Sequence, residues 1–328
     1  MPGSGTDSTR PQAPVATTST TAPTDHTRSR TARGLAGGVG AFVVWGLFPL
    51  YWPLVARAGA LEILAHRVIW SLAFGLLACL LLRRRFWARV RSAREWATLV
   101  GAGAVVTVNW GVYIWAVNHG HVLDAALGYY INPILTILLG VIVLRERLHR
   151  IQWIAVGIAG VAVVVLTVEY GRLPWVALAL AVSFGAYGLL KKGVHIDAVS
   201  GMVVEGLGTS VVALCYLGWL TATGASTFAA YGPGHAILLV LGGLVTLVPL
   251  LLFADAAPRL PLSVMGLLQY IAPTGQFLIG WLVQGEQMSP ERWAGFLLVW
   301  LALTIVTAHA LTLWRRGAGR HRDQRART

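Results

Sequence analysis

Apolar runs of about 20 residues recur along the chain between short polar breaks, and that is the length a helix needs to cross the hydrocarbon core of a bilayer. Ten such runs are present, at 34–56, 61–82, 96–117, 122–144, 151–169, 173–190, 199–220, 235–257, 262–284 and 292–313. Composition agrees, since 56% of the 328 residues are hydrophobic and only 12% are charged. The pattern predicts an all-α polytopic membrane protein with ten transmembrane helices.

The formal net charge of +13 raises the question of a nucleic-acid partner. Position answers it. With the N-terminus placed in the cytoplasm, 22 of the 26 Lys and Arg fall in cytoplasmic segments. Only Arg57, Arg172 and Arg292 fall outside, and Arg67 lies within a helix. Cationic loops resist translocation, so the bias predicts that both termini are cytoplasmic and that no nucleic acid is bound. Residues 1–33, rich in Ser, Thr and Pro, read as a disordered cytoplasmic tail and not as a signal peptide. The basic tail 314–328 reads as a second one, suited to membrane lipid. Cys79 and Cys215 sit inside predicted helices and imply neither a disulfide framework nor a metal site.

An internal repeat organises the rest. A shift of 140 positions lays YINP (130–133) on YIAP (270–273), Gly140 on Gly280, Glu146 on Glu286 and Trp153 on Trp293. AFVVWG (41–46) similarly matches SFGAYG (183–188). Two five-helix units follow, residues 34–170 and 173–313. Five is odd, so the second unit enters the membrane inverted, an arrangement that places a ligand site near the midplane between the halves.

Polar groups inside the predicted helices are the candidate site, because such groups avoid lipid. In the fourth helix Tyr129, Asn132, Pro133, Thr136 and Gly140 share an arc of about 100°. Gln269, Pro273, Gln276 and Gly280 repeat that face in the ninth. Pro133 and Pro273 are candidate hinges, each freeing a backbone carbonyl, although Gly and Pro also serve close helix packing. In the third helix Asn109, Trp110 and Tyr113 form an aromatic stripe with one amide, which suits an aromatic or amphipathic solute or plain interhelical packing. The stretch EILAHRVIW (62–70) is the most charged part of any span. Glu62 and His66 suit an outer-end cap. Arg67 lies deeper, and Glu205 stands opposite it in the second unit. The two charges either bracket a solute or are structural.

WGLFPLYWP (45–53), EILAHRVIWS (62–71), NWGVYIWAVN (109–118), LGYYINPILTILLG (127–140), RERLHRIQW (145–153) and LLQYIAPT (267–274) closely resemble the RarD branch of the EamA, or drug/metabolite, transporter superfamily. The resemblance implies a ten-helix fold of two EamA repeats in a bacterial inner membrane, moving a small-molecule solute by alternating access. It carries no settled cargo and no catalytic motif. Walker A, HExxH, CxxC and GxSxG patterns are absent from the sequence, so neither an enzyme nor a cofactor is expected. Of the polar groups, Glu205 is the candidate for carrying a coupling proton. A channel-like facilitator and a membrane-embedded enzyme or sensor are the alternatives.

Overall fold

The structure is a computed structural model and describes residues 25–83, 85–145 and 149–325. Among the described residues every regular element is helical. The first span is α1 (Asp25–Gly46), the short α2 (Phe48–Tyr51) and a 3-10 stretch, Trp52–Ala58. Then come α3 (Gly59–Leu81), α4 (Ala93–Asn118), α5 (Val122–Leu144) and α6 (Arg150–Tyr170). The second half holds α7 (Trp175–Lys191), α8 (Ala198–Ala222), α9 (Gly232–Ala256), α10 (Leu262–Leu268), α11 (Ile271–Leu278) and α12 (Pro290–Arg325).

Seven helical segments among the described residues are long and apolar enough to cross a membrane. The other three expected spans differ for local reasons. α7 is apolar but has only 17 residues. The first span is interrupted after Gly46, and the ninth is broken between α10 and α11. The ends differ as well. α1 begins at Asp25, so residues 25–33, expected in the tail, are helical, with no Gly or Pro among them to stop a helix. α12 likewise runs to Arg325 instead of ending at 313. Residues 1–24 of the expected tail, and Glu146 of the repeat, lie outside the described residues.

Prolines account for the interrupted first span. Pro49 and Pro53 have no N–H, so the carbonyls four residues earlier, those of Trp45 and Pro49, lose their helical donors. Side-chain amides replace them: Gln276 Nε2 donates to Trp45 O at 3.3 Å and Gln284 Nε2 to Pro49 O at 3.0 Å. Both glutamines come from the broken ninth span, so the two irregular segments satisfy each other where lipid offers no water. The ninth span breaks at Gln269 and Tyr270, and the residue four before Pro273 is Gln269. A π-helical turn, Ile279–Val283, follows α11. Pro133 and Pro249, by contrast, stay inside uninterrupted helices.

α3 packs on α8 and α9, α4 on α7 and α8, and α5 on α7. α6 packs on α12, and α1 on α9 and α11. Small residues permit the closest crossings. A Cβ added at Gly243 of α9 would meet the Trp70 backbone at 2.5 Å, and one at Gly103 of α4 would meet the Glu205 carbonyl oxygen at 2.7 Å. The outward faces are apolar, with Val168 76% and Leu80 73% exposed. In a bilayer those side chains meet acyl chains, whereas in water they would form an aggregating patch.

At the N-terminus of α5 a long-range tie joins the halves. Glu286 accepts hydrogen bonds from the Val122 and Leu123 N–H groups at 2.5 and 3.0 Å. Burial pushes its carboxyl up to about 7, against the two N–H bonds that favour the charged form; nearby Asp124 adds to the rise and Arg292 opposes it. The stability contributed by a group raised in this way is fully present below 4.5 and is lost as pH rises through about 7.

Two outcomes are expected for purified protein in detergent. Melting temperature falls as pH rises from about 4.5 to about 7 in the native sequence, and Glu286→Gln flattens that slope. Gly243→Val forces α9 off α3 and lowers stability by about 1–3 kcal/mol, read from the same melting curves.

Candidate functional site

Arg67 lies in the middle of α3 and is 3% exposed. Its Nε donates to Thr246 Oγ1 of α9 at 2.8 Å, and that hydroxyl donates onward to Gly242 O at 3.0 Å. Three aromatic rings surround the guanidinium. Its Cζ stands 4.0 Å from the Trp110 ring centroid, 5.3 Å from Trp52 and 5.8 Å from Phe48. Desolvated contacts of this kind stabilise a cation by about 2 kcal/mol or more, without accepting an N–H in the plane of the fork. Nη1 has no hydrogen-bond partner.

Beside this cage, Tyr113 of α4 and Tyr129 of α5 pack with ring centroids 5.6 Å apart. Tyr129 Oη donates to Asn109 Oδ1 at 3.0 Å. Asn109 is fully buried and spends its Nδ2 on Leu180 O at 3.0 Å and Ser183 Oγ at 2.9 Å. That amide therefore binds α4, α5 and α7 together, and all its hydrogen-bonding directions in this conformation point into protein.

Glu205 of α8 forms an ion pair with Lys191 at the end of α7, at 2.7 Å. Tyr187 Oη donates to Glu205 at 3.3 Å and accepts from Lys191 Nζ at 3.0 Å. Glu205 also lines a cavity between α3, α4 and α8, with Ser71, Thr107, Trp110 and Thr209 among its walls. Trp110 thus touches both the cavity and Arg67. The free volume is about 20 Å³, room for a single water and not for a metabolite.

The expected site residues fall into two sets. Arg67, Asn109, Trp110, Tyr113 and Tyr129 come together, and Glu205 joins them across the cavity. Asn132 and Gln269 stand elsewhere. Asn132 Oδ1 lies beside Gly185 of α7 and 3.5 Å from Thr136 Oγ1. Gln269 is half-buried in the break between α10 and α11, which pack chiefly on α1, α5 and α12. The two prolines part company too: Pro273 follows that break, whereas Pro133 lies within continuous α5.

Glu62 ties the N-terminal turn of α3 to the loop after α8. Its Oε1 accepts from Ser226 Oγ at 3.1 Å and Thr227 N at 2.8 Å, with His66 Nε2 3.9 Å away and the His66 ring stacked on Phe228.

Several members of the cluster carried signals that sequence reasoning passed over. Phe48 and Trp52 sit in WGLFPLYWP, Thr246 is the one hydroxyl residue in α9, and Lys191 is one of the 22 cations assigned to cytoplasmic segments. None reveals its partner from spacing alone, because each partner lies on another helix.

The apolar helices are those of a multi-pass membrane protein, and the comparisons with known proteins supply its class, a transporter of the drug/metabolite type. Residues 32–168 match the model of the EamA-like transporter family. Protein RarD of Streptomyces exfoliatus is 53% identical over 289 residues, which cover 88% of this chain and 92% of that one. Uncharacterized transporter YojE of Bacillus subtilis (strain 168) is 42% identical over 298 residues, 89% of this chain and 99% of that one. A solved crystal structure aligns with TM-score 0.55 over 86% of this chain and 98% of its own, at 18% identity, which speaks to the fold alone. The chain belongs to the EamA family of transporters, as a RarD-type member.

Replacing Asn109 by Leu leaves Tyr129 Oη and the Leu180 carbonyl without their partner. A loss of about 1–3 kcal/mol in stability is expected, read as a lowered melting temperature, with Asn109→Gln falling in between.

Proposed function

We propose that this protein is a secondary carrier that moves a small amphipathic or aromatic metabolite or drug across the bacterial inner membrane by alternating access. Both termini lie in the cytoplasm, and the site sits between two inverted five-helix repeats, residues 34–170 and 173–313. The carrying observation is the small cavity that Glu205 lines on one side and Trp110, stacked on Arg67, on the other. Buried charges of opposite sign beside one cavity are costly in a bilayer and are retained at solute pathways.

Helix pairing supports the repeat. Under a two-fold relation the second span pairs with the seventh and the fifth with the tenth, and α3 packs on α8 and α6 on α12. The relation also makes α4 on α7 equivalent to α9 on α1, and α3 on α9 equivalent to α8 on α4; all four contacts are present. The cavity's one-water volume favours a carrier over an open pore, since solute enters only when helices move. Glu205 and Lys191 would part when a proton neutralises the carboxylate, which offers a route for coupling.

Counterflow in proteoliposomes tests the carrier. Solute on the far side should accelerate uptake of labelled solute; flux without acceleration indicates a channel-like facilitator instead. If the proton travels through Glu205, Glu205→Gln transports independently of a pH gradient, and transport that keeps its full gradient dependence removes Glu205 from that role.

A further inference from the structure

Buried donors without acceptors cluster around Arg67. Its Nη1 has no partner, and neither do Trp52 Nε1, Ser71 Oγ and Tyr113 Oη. Arg67, Trp52, Ser71 and Tyr113 are each no more than 3% exposed. Trp52 stacks on the guanidinium, Ser71 follows Arg67 by one turn of α3, and Tyr113 follows Trp110 along α4. Guanidinium and indole N–H groups can only donate, and each hydroxyl carries one proton to donate. The locality is therefore rich in unused donors, and none of these four groups is an acceptor alone.

Its charge is equally one-sided. Among the described residues no carboxylate forms an ion pair with Arg67. The nearby acids are committed elsewhere: Glu205 to Lys191 at 2.7 Å, and Glu62 to Ser226 and Thr227 in the outer loop. The aromatic faces of Trp110, Trp52 and Phe48 soften the cost of burying a cation but supply no counter-charge. A cationic solute would meet like charge here. A neutral one would leave the guanidinium uncompensated.

Resting on the carrier reading above, we propose that the solute is carried as an organic anion, its carboxylate taken by the Arg67 fork with Tyr113 and Ser71 as further donors and its apolar body laid against Trp110. A carboxylate offers two oxygens with about four acceptor sites, the complement of an arginine fork. Thr246 fixes the fork's orientation through Nε and leaves Nη1 for the solute. Trp110, touching Arg67 and the cavity at once, is the side chain whose rotation admits the anion to the cation.

The test uses the full chain purified in detergent, with thermal-shift titrations of benzoate, phenylacetate, phenylpropionate and hexanoate, each beside its uncharged carboxamide. At least one carboxylate should bind about ten-fold or more tightly than its amide, the factor that one charge-assisted contact supplies. Arg67→Gln should erase that preference. Arg67→Lys, which keeps the charge and loses the fork, should weaken carboxylate binding about ten-fold, and Thr246→Val should weaken it less. Size-exclusion profiles identify folded variants, and Arg67→Lys with Thr246→Val decide the matter if Arg67→Gln does not fold. The proposal is overturned if no carboxylate in the panel binds, if amides bind as well as acids, or if the folded Arg67 variants keep the native preference. Counterflow separates the two levels. Exchange that is blind to charge sinks the anion while sparing the carrier, whereas anion-selective binding with no exchange of any solute sinks the carrier alone.

Discussion

In hydrocarbon a backbone or side-chain polar group has no water to turn to, so every one that enters must find its partner within the protein. That constraint explains the irregular parts of this fold. Prolines at 49 and 53 free two carbonyls at the end of the first span, and the amides of Gln276 and Gln284 cap them. The ninth span can offer those amides where it does because it is itself broken ahead of Pro273 and closed by a π-helical turn. Two segments that look defective alone become one satisfied unit together.

The same rule separates structural polar residues from candidate functional ones. Asn109, Glu62 and Glu286 are engaged: one binds three helices, one holds the loop after α8, and one caps α5 from the far half of the chain. Arg67 is only partly engaged, through Thr246 and three aromatic rings. A buried arginine with an unpartnered nitrogen is expensive, and it lies against the residue that walls the one-water cavity. Position and incomplete satisfaction together are why the proposed site is centred on it.

The proposed alternating access would draw on the packing. The glycines at 103 and 243 bring α4 onto α8 and α9 onto α3 with no room for a methyl group. The first crossing joins two of the helices that surround the cavity, and the second joins one of them, α3, to α9. Sliding or rocking at such contacts costs little, because few interdigitated side chains must be released.

Much of this was legible in the chain alone, because hydrocarbon imposes a one-dimensional demand: length and apolarity of each run mark the spans, and seven of the ten expected segments are helices long and apolar enough to cross, while α7 is shorter and the first and ninth are broken. Charge bias and the 140-residue repeat are equally linear signals, and so were Arg67 and Glu205, conspicuous as charges in apolar runs. Which partners those charges hold was not legible. Helical periodicity gives the face a residue occupies but not the helix that faces it, so Thr246 behind Arg67, Lys191 beside Glu205 and the glutamines over the proline gaps emerged only from packing. The sequence determined what must be buried in the membrane; the tertiary structure decided what each buried group is buried against, since that depends on contacts between residues as much as 235 positions apart.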